Sequence, residues 1–224
     1  INNLRALELE ISKIKQYEEL KKFDIKFPRT FAAKNKKELI ENSKYFNKPF
    51  ITKHNRGGRG LGVKYFKNTI ELEKYVNSKD FEDSIDGTTL LQEYIFSNEQ
   101  VITRVEFVEG KFLYAVQVDT SEGFQLCPAD PCNIEEKFCP SNPNGKKFMI
   151  LENYNNLEIE KYEKLLKANE IEVAGIEYIV NKEGEHFTYD INTNTNYNSL
   201  AEKKSTKKGM ETIANFLNNE LKLN

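Results

Sequence analysis

The sequence predicts an α+β fold with two lobes, and three observations support this prediction. Apolar residues recur at helical spacing in segments at about 3–22, 36–46, 69–79, 157–169 and 206–222. Short apolar stretches typical of buried strands fall at 29–33, 49–52 and 88–95. Two hairpin patterns follow in the second half of the chain, with segments 101–108 and 111–119 around Glu109-Gly110, and segments 173–180 and 186–192 across residues 181–184. Helices mixed with hairpins are typical of α+β architecture.

The amino-acid composition argues against two classes of protein, those that span membranes and those that bind nucleic acids. The chain has 224 residues, 33 Lys and Arg against 35 Asp and Glu, a formal net charge of −2 and 38% hydrophobic residues. No apolar stretch approaches the roughly 18 residues that a membrane-spanning helix needs. The nearly balanced charge, with no long basic block, gives no electrostatic footprint for nucleic acid. We therefore expect a protein that binds neither membranes nor nucleic acids.

The three cysteines fall in one irregular segment, residues 121–147, which also holds four prolines and little periodicity. They are Cys127, Cys132 and Cys139. An odd number without CxxC pairs argues against a disulfide scaffold and against a zinc site. Free thiols or loop packing in a reducing cytoplasm are favoured. A role in substrate recognition or metal binding is the alternative.

A glycine cluster is the first candidate for chemistry. It comprises Gly57, Gly58, Gly60 and Gly62, it follows a buried strand, and Lys53, Arg56 and Arg59 accompany it. Glycine permits positive φ and close backbone approach, so that successive N–H groups can face phosphate oxygens. The cluster is neither a P-loop nor a dinucleotide fingerprint. A hairpin tip with solvated arginines explains the glycines equally well.

Acidic and amide side chains on the last hairpin are the second candidate. Glu177 lies on one strand, and Asp190 and Asn192 lie on its partner. Because strand side chains alternate, residues 190 and 192 share a face, and we expect Tyr189 and Ile191 to point the other way. Two carboxylates with an amide oxygen suit Mg²⁺, with water and phosphate completing the coordination. An ordinary solvated strand face is the alternative.

Taken with a third segment, Leu90-Leu91-Gln92-Glu93-Tyr94-Ile95, these features in this order resemble the ATP-grasp superfamily. The resemblance is closest to its RimK-like branch, alongside glutathione synthetase and D-alanine–D-alanine ligase, and runs from about Ser12 to Asn198. It implies a nucleotide held between a smaller lobe, residues 25–97, and a larger lobe, residues 98–224, after a leading helix, residues 1–24.

The resemblance also implies roles for individual residues. Lys13 and Lys53 would contact the phosphates, Glu99 the ribose, and Arg104 the phosphates or an acyl phosphate. The remaining nucleotide-binding residues would be Arg56, Gly57, Gly58, Gly60, Gly62, Gln92, Glu93, Tyr94 and Ile95. Mg²⁺ or Mn²⁺ would be held by Glu177, Asp190 and Asn192. An ungapped comparison places Ile102 at the ribose position, and Gly175 stands where D-alanine ligases have an arginine.

The function that the resemblance implies is ATP-dependent ligation of a carboxylic acid to an amine through an acyl phosphate, with release of ADP. The substrates would be small-molecule or peptide acids and amines, in the cytoplasm, and a homo-oligomer is compatible with this reading. An N-terminal α/β domain usual in the family would have been trimmed or would lie in another polypeptide. The alternatives are a thiol or phosphate acceptor, or a nucleotide-binding module without independent activity. Asn194, Asn196, Tyr197 and Asn198 either line an acceptor pocket or solvate a turn.

Overall fold

The computed structural model describes residues 1–58, 60, 62–120, 148–151, 154–203 and 205–223. The helices in this part of the chain are α1 Leu4–Glu10, α2 Lys13–Lys22, α3 Lys36–Ser43, α4 Thr69–Val76, α5 Glu158–Ala168, α6 Ser199–Glu202 and α7 Gly209–Leu223. The strands are β1 Thr30–Ala33, β2 Phe50–His54, β3 Lys64–Phe66, β4 Thr89–Glu93, β5 Val101–Val108, β6 Lys111–Asp119, β7 Phe148–Leu151, β8 Val173–Val180 and β9 His186–Asn192.

The strands form two antiparallel sheets, as the α+β prediction requires. The smaller sheet has the order β1-β4-β2-β3, and the larger sheet has the order β7-β6-β5-β8-β9. Both predicted hairpins are confirmed, β5 with β6 and β8 with β9. Glu109 and Gly110 have φ values of 58° and 64°, the paired left-handed conformation that suits a tight hairpin turn.

The smaller sheet packs against α3 and α4. Both helices begin at an asparagine, and Asn35 accepts a hydrogen bond from the Glu38 backbone N–H at 2.9 Å while Asn68 accepts one from Glu71 at 3.1 Å. Such side-chain caps satisfy backbone donors that the first turn leaves unpaired. The core of this lobe consists of Ala33, Leu39, Phe50, Phe66, Leu72, Val76 and Leu91.

The larger sheet is covered on both faces. Phe107 contributes to a core that includes Tyr162 and Leu165 of α5, whereas its neighbour Val108 packs with Phe216 of α7. Successive strand residues point to opposite faces, which explains this division. Helices α1 and α2 belong to the first of these cores through Ala6, Leu9, Tyr17 and Leu20. No described helix is long and apolar enough to cross a membrane.

The leading segment is two helices, and the single helix predicted over 3–22 is wrong. The helical conformation is interrupted at Ser12, where the backbone is extended. The Ser12 hydroxyl accepts a hydrogen bond from the Lys15 backbone N–H and caps the second helix. Lys13 therefore becomes the first residue of α2. The final helix predicted over 206–222 is confirmed as α7, and the short helix α6 that precedes it was not expected.

Two short strands, β3 and β7, were not expected. Each has at most four residues, too few for a periodic pattern to stand out. The irregular loop predicted over 121–147, with Cys127, Cys132 and Cys139, lies outside the described residues.

Candidate functional site

A cavity of about 920 Å³ lies between the two sheets and is lined by residues of both. Most of the residues predicted to bind nucleotide or metal line it. They are Lys13, Lys53, Gly57, Gly58, Gly60, Gln92, Glu93, Tyr94, Ile95, Glu99, Arg104, Glu177, Asp190 and Asn192. Ile102 also lines the cavity, whereas Arg56 and Gly62 do not. The chain therefore folds so that residues nearly 180 positions apart share one pocket.

The glycine cluster enters this cavity at its first three glycines. Gly57 and Gly58 are exposed, and a Cβ added to Gly58 would meet nothing within 4 Å. Gly62 differs, because its φ is +75° and a Cβ there would lie 3.2 Å from the His54 ring. Arg56 is exposed. Gly62 is thus required by local packing and backbone geometry, whereas Gly58 leaves open space beside the cavity.

Lys13, the first residue of α2, lines the cavity. Its Nζ donates a hydrogen bond to Asp190 Oδ1 at 2.5 Å, and only 7% of the residue is exposed. Asn55 fixes the start of the helix, because its backbone carbonyl accepts from Lys13 N at 3.2 Å and its side-chain oxygen accepts from Ile14 N at 3.0 Å. The residue that follows β2 therefore also positions the first phosphate-binding candidate.

Lys53 is buried between two aromatic rings. Its Nζ lies 5.3 Å from the ring centre of Tyr17 and 5.7 Å from that of Tyr189, distances at which a ring face attracts a cation. Burial, and after it the positive charge of Lys13, lower the pKa of Lys53 to about 7, although the negative charges of Asp190 and Glu177 oppose the shift. A negatively charged ligand in the cavity would favour the protonated form.

The predicted metal ligands are brought together by the last hairpin. Glu177 pairs directly with Asp190 in the register of β8 and β9. Asn192 Nδ2 donates to Glu177 Oε1 at 3.5 Å. The expectation that Tyr189 points away is wrong, because its side chain hydrogen-bonds Glu177 and lines the cavity. The register shifts between Glu177 and Tyr178, so that Tyr189 is the extra residue of a β-bulge and alternation fails there.

The two carboxylates respond differently to burial. Burial raises the pKa of Glu177, and the charge of Asp190 raises it further, while Arg104 opposes the shift. Burial also acts to raise the pKa of Asp190, but the charges of Lys13 and Lys53 outweigh it, so that this pKa is lowered. Two adjacent buried carboxylates with an amide fit Mg²⁺, which relieves their mutual repulsion and takes one or two protein carboxylates. In the described part of the chain no cluster of three His, Cys, Asp or Glu side chains offers an alternative metal site.

Arg104 faces these acids from the neighbouring strand. Its Nη1 lies 3.5 Å from Glu177 Oε1 and its Nε lies 2.7 Å from Glu106 Oε1. Nη2 donates a hydrogen bond to Thr195 Oγ1. Gly175 explains how the guanidinium fits, because a Cβ at that position would lie 2.5 Å from Arg104 Nε. The space that a side chain at position 175 would need is thus occupied by Arg104 and Glu106.

Residues 92–95, at the end of β4 and just after it, line the cavity on the side of the smaller sheet. Gln92 is not free to bind a ligand through its amide nitrogen, since Nε2 donates to Tyr17 Oη at 2.8 Å and to Thr30 Oγ1 at 2.9 Å. The backbone N–H of Tyr94 donates to the Pro49 carbonyl at 3.0 Å. The Gln92 side chain thus links β4 to α2. The predicted contact with the nucleotide would therefore be made by the backbone of this segment and by residues 93–95.

Sequence reasoning missed four side chains of this site. They are Tyr17, Glu106, Tyr189 and Thr195. Glu106 had a signal, since an acid stands in an otherwise apolar strand two residues after Arg104. The tyrosines had none, because an aromatic residue on an apolar stripe is read as core.

Comparisons with known proteins identify the family and the fold of the chain. A family model described as the RimK-like ATP-grasp domain matches residues 11–129. No curated protein sequence matches significantly. The chain is similar in structure to the ATP-grasp ligase PsnB complexed with a minimal precursor, with 13% identity, a TM-score of 0.66, and coverage of 98% of this chain and 63% of that one.

Two further structures are similar to the same extent. A RiPP-associated ATP-grasp ligase from Chryseobacterium gregarium, in complex with ADP and a leader and core peptide, has 16% identity and a TM-score of 0.66 over 97% of this chain and 62% of that one. The D-cycloserine synthetase DcsG has 11% identity and a TM-score of 0.67 over 96% and 71%. The chain thus spans less than two thirds of the length of the first two. These likenesses show an ATP-grasp fold, and because the family model covers more than half of the sequence, the chain belongs to the RimK-like ATP-grasp family.

Proposed function

We propose that the protein is an ATP-dependent ligase that joins a carboxylic acid to an amine and releases ADP and phosphate. One observation carries the proposal: a single cavity collects Lys13, Lys53 and Arg104 around the acid pair Glu177 and Asp190. Three cations beside two carboxylates are what a metal-bound triphosphate requires. The lobes of the proposed enzyme are residues 25–97 and 98–224, with residues 1–24 leading into them.

In the first step a carboxylate oxygen of the acid attacks the γ-phosphorus of ATP. The bond from that phosphorus to the β–γ bridging oxygen breaks, and the products are an acyl phosphate and ADP. Lys13 and Lys53 hold the phosphates, while Arg104 faces the group in transfer. Positioning and charge neutralisation dominate the catalysis of phosphoryl transfer, so fixed cations are the side chains that the step needs.

In the second step an amine nitrogen attacks the acyl carbon. The carbon–oxygen bond to phosphate breaks, the amine loses a proton, and the products are an amide and inorganic phosphate. Residues 57–62 would cover the phosphates and exclude water, which protects the acyl phosphate from hydrolysis. Glu93, Tyr94 and Ile95 would contact the adenine and Glu99 the ribose.

Glu177, Asp190 and Asn192 would hold Mg²⁺ or Mn²⁺. The cation would neutralise charge on the phosphates. The donor set supports this assignment, because two buried carboxylates with an amide oxygen are typical of hard divalent cations.

The substrates proposed are small-molecule or peptide acids and amines, in the cytoplasm. Two of the similar structures contain a precursor or a leader and core peptide, and a third is named as a synthetase of a small molecule. Asn194, Asn196, Tyr197 and Asn198 line the cavity and are the proposed acceptor contacts, although Asn198 also caps α6 by accepting a hydrogen bond from the Ala201 backbone N–H. A homo-oligomer remains a prediction.

The test is ADP release from ATP and Mg²⁺ with panels of acids and amines, with hydroxylamine added to trap acyl phosphate as a hydroxamate. We expect acid-dependent ADP release, a hydroxamate, and loss of both in Asp190→Asn. Asp80→Asn, at an exposed position, is the control and should match the wild type. A thioester or a phosphorylated product would instead establish a thiol or phosphate acceptor. Nucleotide binding without turnover with any acid would identify a binding module.

A further inference from the structure

Glu106 is a buried acid that the proposed chemistry does not use. It lies on β5, two residues after Arg104, and only 2% of it is exposed. Burial raises its pKa, and the charge of Arg104 opposes that shift. Placing a carboxylate inside a protein is unfavourable unless it is paired and hydrogen-bonded. The contacts of Glu106 therefore indicate what its burial achieves.

Glu106, Arg104 and Thr195 form a closed ring of contacts. Glu106 Oε1 lies 2.7 Å from Arg104 Nε, and Glu106 Oε2 accepts a hydrogen bond from Thr195 Oγ1 at 2.7 Å. Thr195 Oγ1 in turn accepts a hydrogen bond from Arg104 Nη2. Two of the three guanidinium nitrogens are thereby engaged within the protein, Nε by an ion pair and Nη2 by a hydrogen bond.

The third nitrogen of Arg104 is directed toward the proposed reaction centre. Nη1 forms an ion pair with Glu177 Oε1 at 3.5 Å, a longer contact than those of Nε and Nη2. A phosphate oxygen arriving beside Glu177 would meet this nitrogen first. The ring therefore leaves one guanidinium nitrogen for a ligand and fixes its direction.

Gly175 makes the arrangement sterically possible. It pairs with Glu106 in the register of β5 and β8. A Cβ at Gly175 would lie 2.5 Å from Arg104 Nε and 2.9 Å from Glu106 Oε2, closer than real Cβ contacts allow. The chain thus has a glycine in the middle of a strand, where glycine is unfavourable, at the position where the two side chains need room.

We propose that Glu106, together with Thr195, is a positioning residue that holds Arg104 with Nη1 aimed at the terminal phosphate of ATP. This inference rests on the proposed function, because it assigns the terminal phosphate to Arg104. Although Glu106 is among the residues that line the cavity, the role proposed for it is to act through the guanidinium.

The test compares the binding of Mg²⁺·ADP with that of Mg²⁺·AMPPNP, a non-hydrolysable ATP analogue, by titration calorimetry on the full chain. Arg104→Ala should abolish the preference for AMPPNP. We expect Glu106→Gln to reduce that preference by about tenfold, since a charge-assisted contact is lost, while the affinity for ADP changes by less than about twofold. Thr195→Val should reduce the preference by about threefold, as for a neutral hydrogen bond.

A double-mutant comparison separates positioning from a direct or purely structural role. On the Arg104→Ala background, Glu106→Gln should leave the ratio of the two affinities unchanged. A further fall there, an unchanged ratio in the single variant, or parallel weakening of both nucleotides would overturn the inference. Glu183→Gln, in an exposed turn, is the matched control.

Failure of the proposed function gives a different pattern. The wild type would then bind neither nucleotide, or Arg104→Ala would keep the preference for AMPPNP, and the inference would fall with the proposal. If Glu106→Gln does not fold, the same comparison with Thr195→Val decides the question, because its hydroxyl closes the ring from the opposite side.

Discussion

The two walls of the cavity, one formed by the larger sheet and one by the smaller sheet with its glycine cluster, differ in how their polar groups are held. On the larger sheet, Arg104 and Glu106 are 8% and 2% exposed, and each is held by named partners at the distances given above. On the smaller sheet, the described part of the glycine loop offers backbone and open space, with Gly57 and Gly58 exposed. The larger-sheet wall holds its charged side chains through partners within the protein, whereas the glycine cluster of the other wall presents exposed backbone.

This difference indicates how the site divides its work. Fixed side-chain charges need no rearrangement when charge develops in a reaction, which makes them effective in catalysis. Backbone N–H groups beside glycines allow close approach to phosphate. Substitutions in the larger-sheet wall remove contacts within the protein and should lower the free energy of unfolding. Substitutions at the exposed glycines remove no such contacts and should change it little.

Lys13→Met should have the largest effect on stability. The substitution removes the closest partner of Asp190, whose side chain is 17% exposed, and breaking such a buried pair is destabilising by about 3 kcal/mol. Lys15→Met is the matched control on the same helix, where an exposed pair with Glu8 at 3.4 Å is worth less than about 1 kcal/mol. Urea unfolding without nucleotide or metal measures both, and equal losses in the two variants would contradict the account.

Gly175→Ala and Gly58→Ala test the two walls with the same chemical change. At Gly175 the new methyl group would lie within 3 Å of Arg104 and Glu106, and such overpacking is destabilising by about 1–3 kcal/mol. At Gly58 nothing lies within 4 Å, so the unfolding free energy should change by less than about 0.5 kcal/mol. Thermal and urea unfolding of the pair measure the contrast, and a Gly58→Ala loss as large as that of Gly175→Ala would break it.

Lys53 should reveal itself in the pH dependence of the unfolding free energy. Burial lowers its folded-state pKa to about 7 from a usual value of 10.5, so between these values the unfolded chain binds more protons. Folding is then favoured as pH rises through about 7 toward 10.5. Compared with Lys53→Met, the wild type should gain stability from pH 6 to pH 9 without ligands. A difference between the two that does not change with pH would refute the assignment.

Much of this fold was predictable, because its elements repeat a local pattern. The hairpin of β8 and β9 was predicted with its bounds, and Glu177 and Asp190 with it, since alternation over seven or eight residues specifies a strand. Where one residue breaks the pattern, prediction failed. Ser12 begins a second helix through its extended backbone, and the Tyr189 side chain reaches Glu177 because of a bulge that the residue spacing does not reveal.

The site's tertiary contacts were beyond the reach of spacing. Thr195 meets Arg104 across 91 residues, and nothing in either local sequence specifies that contact. The resemblance to ATP-grasp enzymes supplied Lys13, Lys53 and Arg104, but it did not supply Glu106 and Thr195, the side chains that hold Arg104. Side chains that position others are therefore the part of a site that a single sequence conceals best.

The most direct test of the central claim, that this cavity holds a metal-bound ATP, is unfolding with ATP alone, Mg²⁺ alone, and both together. At 100-fold above Kd the bound pair should stabilise the fold by about 2.7 kcal/mol. We expect that shift only when both components are present, and we expect it to be lost in Asp190→Asn. No shift with both components, or the same shift in Asp190→Asn, would contradict the assignment.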